Sequence, residues 1–446
     1  MRFAASALTA VLLVPATGSA QRQQSMPHPI EYKESFLPNG LRIITHEDHS
    51  TPVVNLQMWF HVGSKDEKAG KTGFAHLFEH LMFQGSAHVK PEEHDKIITA
   101  AGGVSNAYTN DDVTVYWQTF PSNYLEKVIW LEADRMASLD VSGDNFKRER
   151  EVVKEERLTR VENPPYGDLV EQLYQASFEE HPYRHTTIGS MADLNAATIE
   201  DVRTFFKTYY APNNATMVIA GDFQTAPAIE LVKAYFGTIP KSAQPVARNN
   251  VKEPPQQKER RLSRTKNVPL PAYVAAYHVP ADGHPDSYAL NIASSILSQG
   301  HSSRIYQSIV YDKQLAVEAD ASGNFTEDPN LFFAILIMNR GASIEEGEKA
   351  MNVEIGRMTT DLVSEKELEK AKNAIRSEYT FGRESVQEKA QALGHAATIH
   401  NDPASINKEY DLFMKVKRED IMRVAKTYFR PDNRTVLIVN PAKRGN

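Results

Sequence analysis

The chain has 446 residues, enough for two or more domains that each bury a core. Its 41% hydrophobic and 24% charged content is that of a soluble globular protein, and a net charge of −7 gives no reason to expect a nucleic acid partner. There is no cysteine, which excludes disulfides and thiolate metal sites, so any metal must be held by histidine and carboxylate.

Residues 1–20 begin with a cationic Arg2, run apolar from Phe3 to Ala16 and end on Gly18-Ser19-Ala20 before Gln21. That pattern predicts a secretory signal peptide, too short and too weakly flanked to span a bilayer. No later stretch is long and apolar enough to span one. The mature chain is therefore expected to be exported, to the periplasm if the source is Gram-negative. Ser35-Phe36, Asn39-Gly40 and the run Leu41 to Thr45 predict a hairpin. Val53 to Val62 reads as a strand that alternates over part of its length. Gly63 to Gly73 is a polar loop. Gly73 to Phe83 has no proline, one glycine at its start and apolar side chains around much of its circumference, which predicts a buried helix. Helices are also predicted over Pro91 to Ala101, Tyr124 to Leu139, Asp144 to Val161 and Val202 to Tyr210, and strands over Val113 to Phe120 and Thr216 to Ala220.

Pro240 to Asn267 is rich in Pro, Gln, Lys, Arg and Asn, and Val251 to Gln257 reads as a linker. Its basic run (Lys258, Arg260, Arg261, Arg264, Lys266) is expected to be a solvated link. The chain also repeats itself. Ile199-Glu200-Asp201-Val202 through Lys207-Thr208-Tyr209-Tyr210-Ala211-Pro212-Asn213-Asn214-Ala215-Thr216 returns 219 residues later as Arg418-Glu419-Asp420-Ile421 through Lys426-Thr427-Tyr428-Phe429-Arg430-Pro431-Asp432-Asn433-Arg434-Thr435. Each copy is a helix, a Pro-Asn turn and a strand. The expected architecture is α+β: two homologous halves, each a mixed β-sheet layered with helices, over residues 31–240 and 269–446, joined by a linker at 241–268.

The chemistry concentrates in His76-Leu77-Phe78-Glu79-His80. On a helix, residues four apart share a face, so His76 and His80 can aim two imidazoles at one point. Glu79 lies at the edge of that face, badly placed as a ligand and well placed to take a proton from a water activated there. The plain alternative is a helix with two satisfied histidines. The apolar surroundings favour a metal, because buried imidazoles and a buried charge need partners, and neutral imidazoles with carboxylate suit zinc. The region of the second half that matches, Asn291 to Leu297, carries no such motif, so one half holds the chemistry and the other encloses, supports or binds. A third protein ligand is needed. Glu149 and Glu156, two helical turns apart, share a face with Val152 and Val153 on or near it, whereas Glu151 and Glu155 point to solvent. Periodicity therefore offers Glu149 or Glu156 as ligand, with the other supporting it.

These features together resemble one family. Val62-Gly63-Ser64, the inverted zinc motif, Phe83-Gln84-Gly85-Ser86, Asn106-Ala107-Tyr108-Thr109 and Glu149-Arg150-Glu151-Val152-Val153 through Glu156 are similar to the pitrilysin, insulin-degrading enzyme and mitochondrial processing peptidase family of inverzincins. The similarity runs from about Leu37 to Val439, and the length matches the short branch. The resemblance implies one zinc per chain, with His76, His80 and Glu156 as ligands, Glu79 as general base and Glu149 as its supporting acid. It also implies that Asn106 and Ala107 lie on an edge strand that pairs with the substrate backbone, and that Phe83 lies near the pocket after the scissile bond.

One departure bears on the partner. Family members complete in one chain carry an Arg and, seven residues later, a Tyr in the second half. Here those positions are Val310 and Val317. Arg304 and Tyr311 are also seven apart, in a shifted register, and are candidates to substitute. The resemblance thus implies one subunit of a two-subunit peptidase, whose homologous partner supplies the pair, with a homodimer as the other pairing. The expected function is an exported zinc metalloendopeptidase acting on peptides or unfolded segments inside a closed chamber. The alternative is a zinc-stabilised assembly or binding subunit of a larger complex, and an intact Glu79 argues against it. Mitochondrial presequence cleavage fits poorly with a leader that is not Arg-rich.

Overall fold

The computed structural model describes residues 28–442, so the expected signal peptide at 1–20 lies outside the described residues. The first half runs β1 (Lys33–Phe36), β2 (Arg42–Glu47), β3 (Val53–Phe60), α1 (Phe74–Leu81), α2 (Glu93–Ala100), β4 (Val104–Thr109), β5 (Thr114–Pro121), α3 (Leu125–Ser138), α4 (Gly143–Arg157), α5 (Leu169–Ser177), α6 (Met191–Ala196), α7 (Ile199–Tyr209), β6 (Ala215–Gly221) and α8 (Thr225–Phe236). The second runs β7 (Arg260–Lys266), β8 (Ala272–Val279), α9 (Pro285–Ser298), β9 (Ala316–Gly323), β10 (Asn330–Met338), α10 (Ile344–Thr360), α11 (Glu365–Phe381), α12 (Val386–Thr398), α13 (Ile406–Lys415), α14 (Arg418–Tyr428) and β11 (Arg434–Pro441). None of the described helices is long and apolar enough to cross a membrane.

The two sheets are ordered β1-β2-β6-β3-β5-β4 and β7-β11-β8-β10-β9. In each sheet one parallel pair, β2 with β6 and β7 with β11, is followed by antiparallel neighbours. The repeated helix-turn-strand is α7 with β6 and α14 with β11. The halves therefore share one mixed-sheet plan, as the repeat predicts. The hairpin at Asn39-Gly40 is present, with Phe36 opposite Arg42 and Gly40 at φ +94°.

One boundary differs from the sequence reading. The basic run expected as a solvated link forms β7, an edge strand hydrogen-bonded to β11. Its charges hid it, because an edge strand with one open side tolerates them. Arg260 donates to the carbonyls of Ala176 and Ser177, Arg261 pairs with Glu348, and Lys266 pairs with Asp168.

Each half lends a helix to the other's sheet. β3 is buried on both faces, not on one as partial alternation suggests. One face meets the first half's own core, and the other, with Trp59, Val115 and Val218, packs under α12 of the second half. Gly394 on α12 leaves room for the Trp59 ring, where a Cβ would collide. Reciprocally, Leu169, Leu173 and Tyr174 of α5 cover Val274, Leu331 and Leu437 of the second sheet.

Candidate metal centre

The helix α1 is fixed from three sides. Gly73, at φ +90°, begins it, and a side chain there would press on the Ile188 carbonyl. The buried Glu67 carboxylate accepts the N–H groups of Gly73 (2.9 Å) and Ala75 (2.8 Å), capping the positive end of the helix. Phe78 stacks on Phe205 and Phe206 of α7, with centroids 5.3 and 6.0 Å apart, and Tyr116 on β5 donates to the Phe78 carbonyl. Each such buried ring contributes roughly 1.5–3 kcal/mol. The opposite face of α1 presents His76 and His80 to a cavity of about 590 Å³.

Three side chains converge there. His80 Nε2 is 3.3 Å and His76 Nε2 3.7 Å from Glu156 Oε2, and the two rings lie at 85°. Donors about 2.0–2.1 Å from a tetrahedral zinc stand about 3.3–3.5 Å from one another, so this set fits the ion. Burial, and then the neighbouring His80, push the His76 imidazole down to about 4, into the neutral form a metal needs. Burial opposes charge on His80 as well, but the Glu149, Glu156 and Glu79 carboxylates outweigh it and raise that ring. His76 Nδ1 is buried without a hydrogen-bond partner among the described residues.

The two glutamates left open by periodicity separate clearly. Glu156 stands between the Nε2 atoms, and Glu149, 5% exposed, lies behind His80, with Oε2 3.7 Å from Nδ1. Val153 is buried on that face, but Val152 is exposed, not on or near the buried face as the sequence reading put it. Glu79 is outside the cluster and half-buried. Burial raises its carboxyl, and Thr109 Oγ1 donates to Oε2 at 2.7 Å. Asn106 and Ala107 line the same cavity from β4, the last strand of the sheet. Phe83 does not line it. Its ring packs near Tyr116, with the Arg135 guanidinium over both.

Sequence reasoning missed three contributors. Thr109 sat inside a quoted motif without a role. Arg160, in the π-helical turn (Leu158–Glu162) that follows α4, pairs with Glu156 Oε1 at 2.6 Å, an i,i+4 contact that helical spacing allows but to which the sequence reading gave no role. Glu67 gave no local signal. The shifted-register pair is not available as a pair: Arg304 makes a two-pronged contact with Glu367 at 2.6 and 3.0 Å, while Tyr311 is 66% exposed.

Comparison with known proteins agrees with this geometry. A family model described as Insulinase (Peptidase family M16) matches residues 42–190, and one described as Peptidase M16 inactive domain matches residues 196–375. The "Zinc protease PqqE" of Helicobacter pylori is 31% identical over 437 residues, 97% of this chain and 98% of that protein. A crystal structure of a protease from Helicobacter pylori, 31% identical, matches with a TM-score of 0.89 over 93% of this chain and 100% of that one. A structure of a peptidase M16 inactive domain from Pseudomonas fluorescens shares the fold, with a TM-score of 0.83 at 15% identity over 93% and 99% of the two chains. Relatives named as zinc proteases support a peptidase-type function and a zinc ion. With both models matching in order and one relative 31% identical along almost the whole length, the chain belongs to peptidase family M16.

Proposed function

We propose that the chain is the zinc-binding subunit of an exported metalloendopeptidase that hydrolyses peptides or unfolded segments inside a closed chamber. The observation that carries this reading is Glu79: its carboxylate stands beside the His76, His80 and Glu156 cluster rather than in it, held by Thr109. A purely structural metal site has no use for a raised carboxylate at its open side.

Zinc, when bound by His76, His80 and Glu156, supplies Lewis acidity that makes water acidic and a carbonyl electrophilic. Glu79 accepts the proton of the attacking water, and its raised basicity suits that task. It then returns the proton to the departing amine. Thr109 orients the carboxylate, and Glu149 holds the His80 ring in the tautomer that leaves Nε2 free. The edge of β4 aligns an extended substrate by backbone hydrogen bonds.

The same reading assigns the missing Arg/Tyr pair to a homologous partner. Val310 and Val317 stand at the expected positions, and Arg304 is engaged by Glu367. Hydrolysis of a fluorogenic peptide is measured with the mature chain alone, then mixed with a homologous chain that carries the pair. Activity in the mixture, lowered about 10²- to 10⁴-fold by Glu79→Gln with zinc retained, is expected. Zinc-loaded protein without hydrolysis in either setting would favour the binding-subunit reading. Export, to the periplasm in a Gram-negative source, predicts a mature N-terminus at Gln21; a retained Met1 in the mass spectrum would rule it out.

A further inference from the structure

The second half lacks the zinc motif, yet it brings another pair of imidazoles to one carboxylate. His395 lies in the last turn of α12, His400 just beyond that helix, and Asp282 in the loop between β8 and α9. His400 Nε2 is 3.0 Å and His395 Nε2 3.4 Å from the same oxygen, Asp282 Oδ2. All three donor atoms lie within 4.8 Å of one another, as they do at the first site. The corresponding distances there are 3.3 and 3.7 Å, so in both trios one carboxylate oxygen stands close to two imidazole nitrogens.

Three further observations point to a ligand. His400 Nδ1 is 3.1 Å from Ser405 Oγ, with Glu409 Oε1 at 3.7 Å behind it. His400 Nε2 is within hydrogen-bond distance of Asp282 Oδ2, and the Ser405 hydroxyl can accept a proton carried on Nδ1, the tautomer that leaves Nε2 free when a metal replaces its hydrogen. Asp282 Oδ1 accepts the Gly283 N–H at 2.9 Å, which fixes the other oxygen in place. His395 is lodged among protein atoms, and that burial favours its neutral form. Even so, its side chain keeps 43% exposure and, with Asp282, lines a polar cavity of about 520 Å³, which gives an ion a way in and leaves room for a water ligand.

We propose that Asp282, His395 and His400 bind a second divalent transition metal, zinc by the nitrogen and oxygen character of the set, which ties α12 to the loop leading into α9. The position gives the ion a structural purpose. α12 covers the first half's sheet, whereas α9 belongs to the second half's core. One metal therefore fastens the lent helix to its own half. The rival occupant is a proton, since the Asp282 carboxylate favours a charged His400 and an imidazolium–carboxylate pair would join two of the same three residues.

The test is zinc content by elemental mass spectrometry after equilibration with zinc chloride and removal of the excess. The mature chain is expected to hold two equivalents, His76→Ala/Glu156→Gln one, Asp282→Asn/His400→Gln one, and the combined variant none. Cobalt(II) titration of His76→Ala/Glu156→Gln should give a visible absorption band that is absent from the combined variant. Ser405→Ala, which leaves all three ligands in place, should weaken the second equivalent about 10-fold, and it serves as the test if Asp282→Asn/His400→Gln does not fold. A wild-type chain with a single equivalent that vanishes in His76→Ala/Glu156→Gln overturns the proposal. So does a second equivalent that survives in Asp282→Asn/His400→Gln, or that binds equally well in Ser405→Ala.

Discussion

Glu149 touches neither the cavity nor Glu79. Its neighbour is the far nitrogen of His80, and its own carboxylate is almost fully buried. A carboxylate in that place holds the proton on Nδ1 and keeps the Nε2 lone pair available to a metal. Glu149→Ala should therefore lower zinc affinity about 10- to 100-fold, read by competition with a chelator, and Glu149→Gln, which can still accept a hydrogen bond, should fall between. Unchanged affinity in Glu149→Ala would leave the residue with a packing role alone. His76, His80, Glu149 and Glu156 were legible because helical spacing of four and seven is a local property. Which glutamate ligates was not, since both share the face, and the resemblance decided it. Thr109 meets Glu79 across 30 residues of chain, a contact that no periodicity reports.

At the scale of elements, β4 is the place where the first sheet is unfinished. Among the described residues it pairs only with β5. The Ala107 N–H is taken by the Asn106 side chain, Oδ1 at 2.9 Å, which marks it as an outward-facing donor that a substrate strand can claim. Ala107→Pro removes that donor at an edge position where proline is tolerated. It should cost about 1 kcal/mol of binding, roughly a fivefold loss in kcat/KM, with zinc content unchanged. Equal kcat/KM would mean that substrates do not add to this edge. The two edges compare instructively. β7 reads as linker because its register partner, β11, lies more than 170 residues away, and because two of its arginines, Arg260 and Arg261, serve contacts with α5 and α10 while Arg264 faces solvent. Of the strands that were legible, the interior β3, β5 and β6 carry their own evidence in apolar runs, and the edge strand β1 was marked by the Asn39-Gly40 turn that joins it to β2.

On the scale of the whole molecule, the lent helices make each half incomplete alone, and a buried charge cluster joins the halves where two hairpin turns meet. Lys65, 3% exposed, contacts Asp112 (2.9 Å) from the β4–β5 turn and Glu327 (2.5 Å) and Asp328 (3.2 Å) from the β9–β10 turn. The Asp112 carboxylate also accepts the Glu327 N–H and the Tyr183 hydroxyl. Nothing in the sequence announces this cluster, because each half supplies only part of the charge balance. Burial pushes the Glu327 carboxyl up, but His61 and Lys65 outweigh it and hold it at about 2, below its usual 4.5; Asp328 is depressed in the same way. A depressed carboxyl stabilises the fold fully above its unfolded value. As pH falls from about 4.5 toward 2, the unfolded chain takes up a proton that the folded chain refuses, so stability declines across that window. Urea unfolding at a series of pH values should show this decline. Glu327→Gln should be less stable near neutrality, since Lys65 loses a charged partner, and its stability should fall less steeply on acidification. A variant with the wild-type slope between those pH values would mean that the joint between the halves does not carry the acid sensitivity.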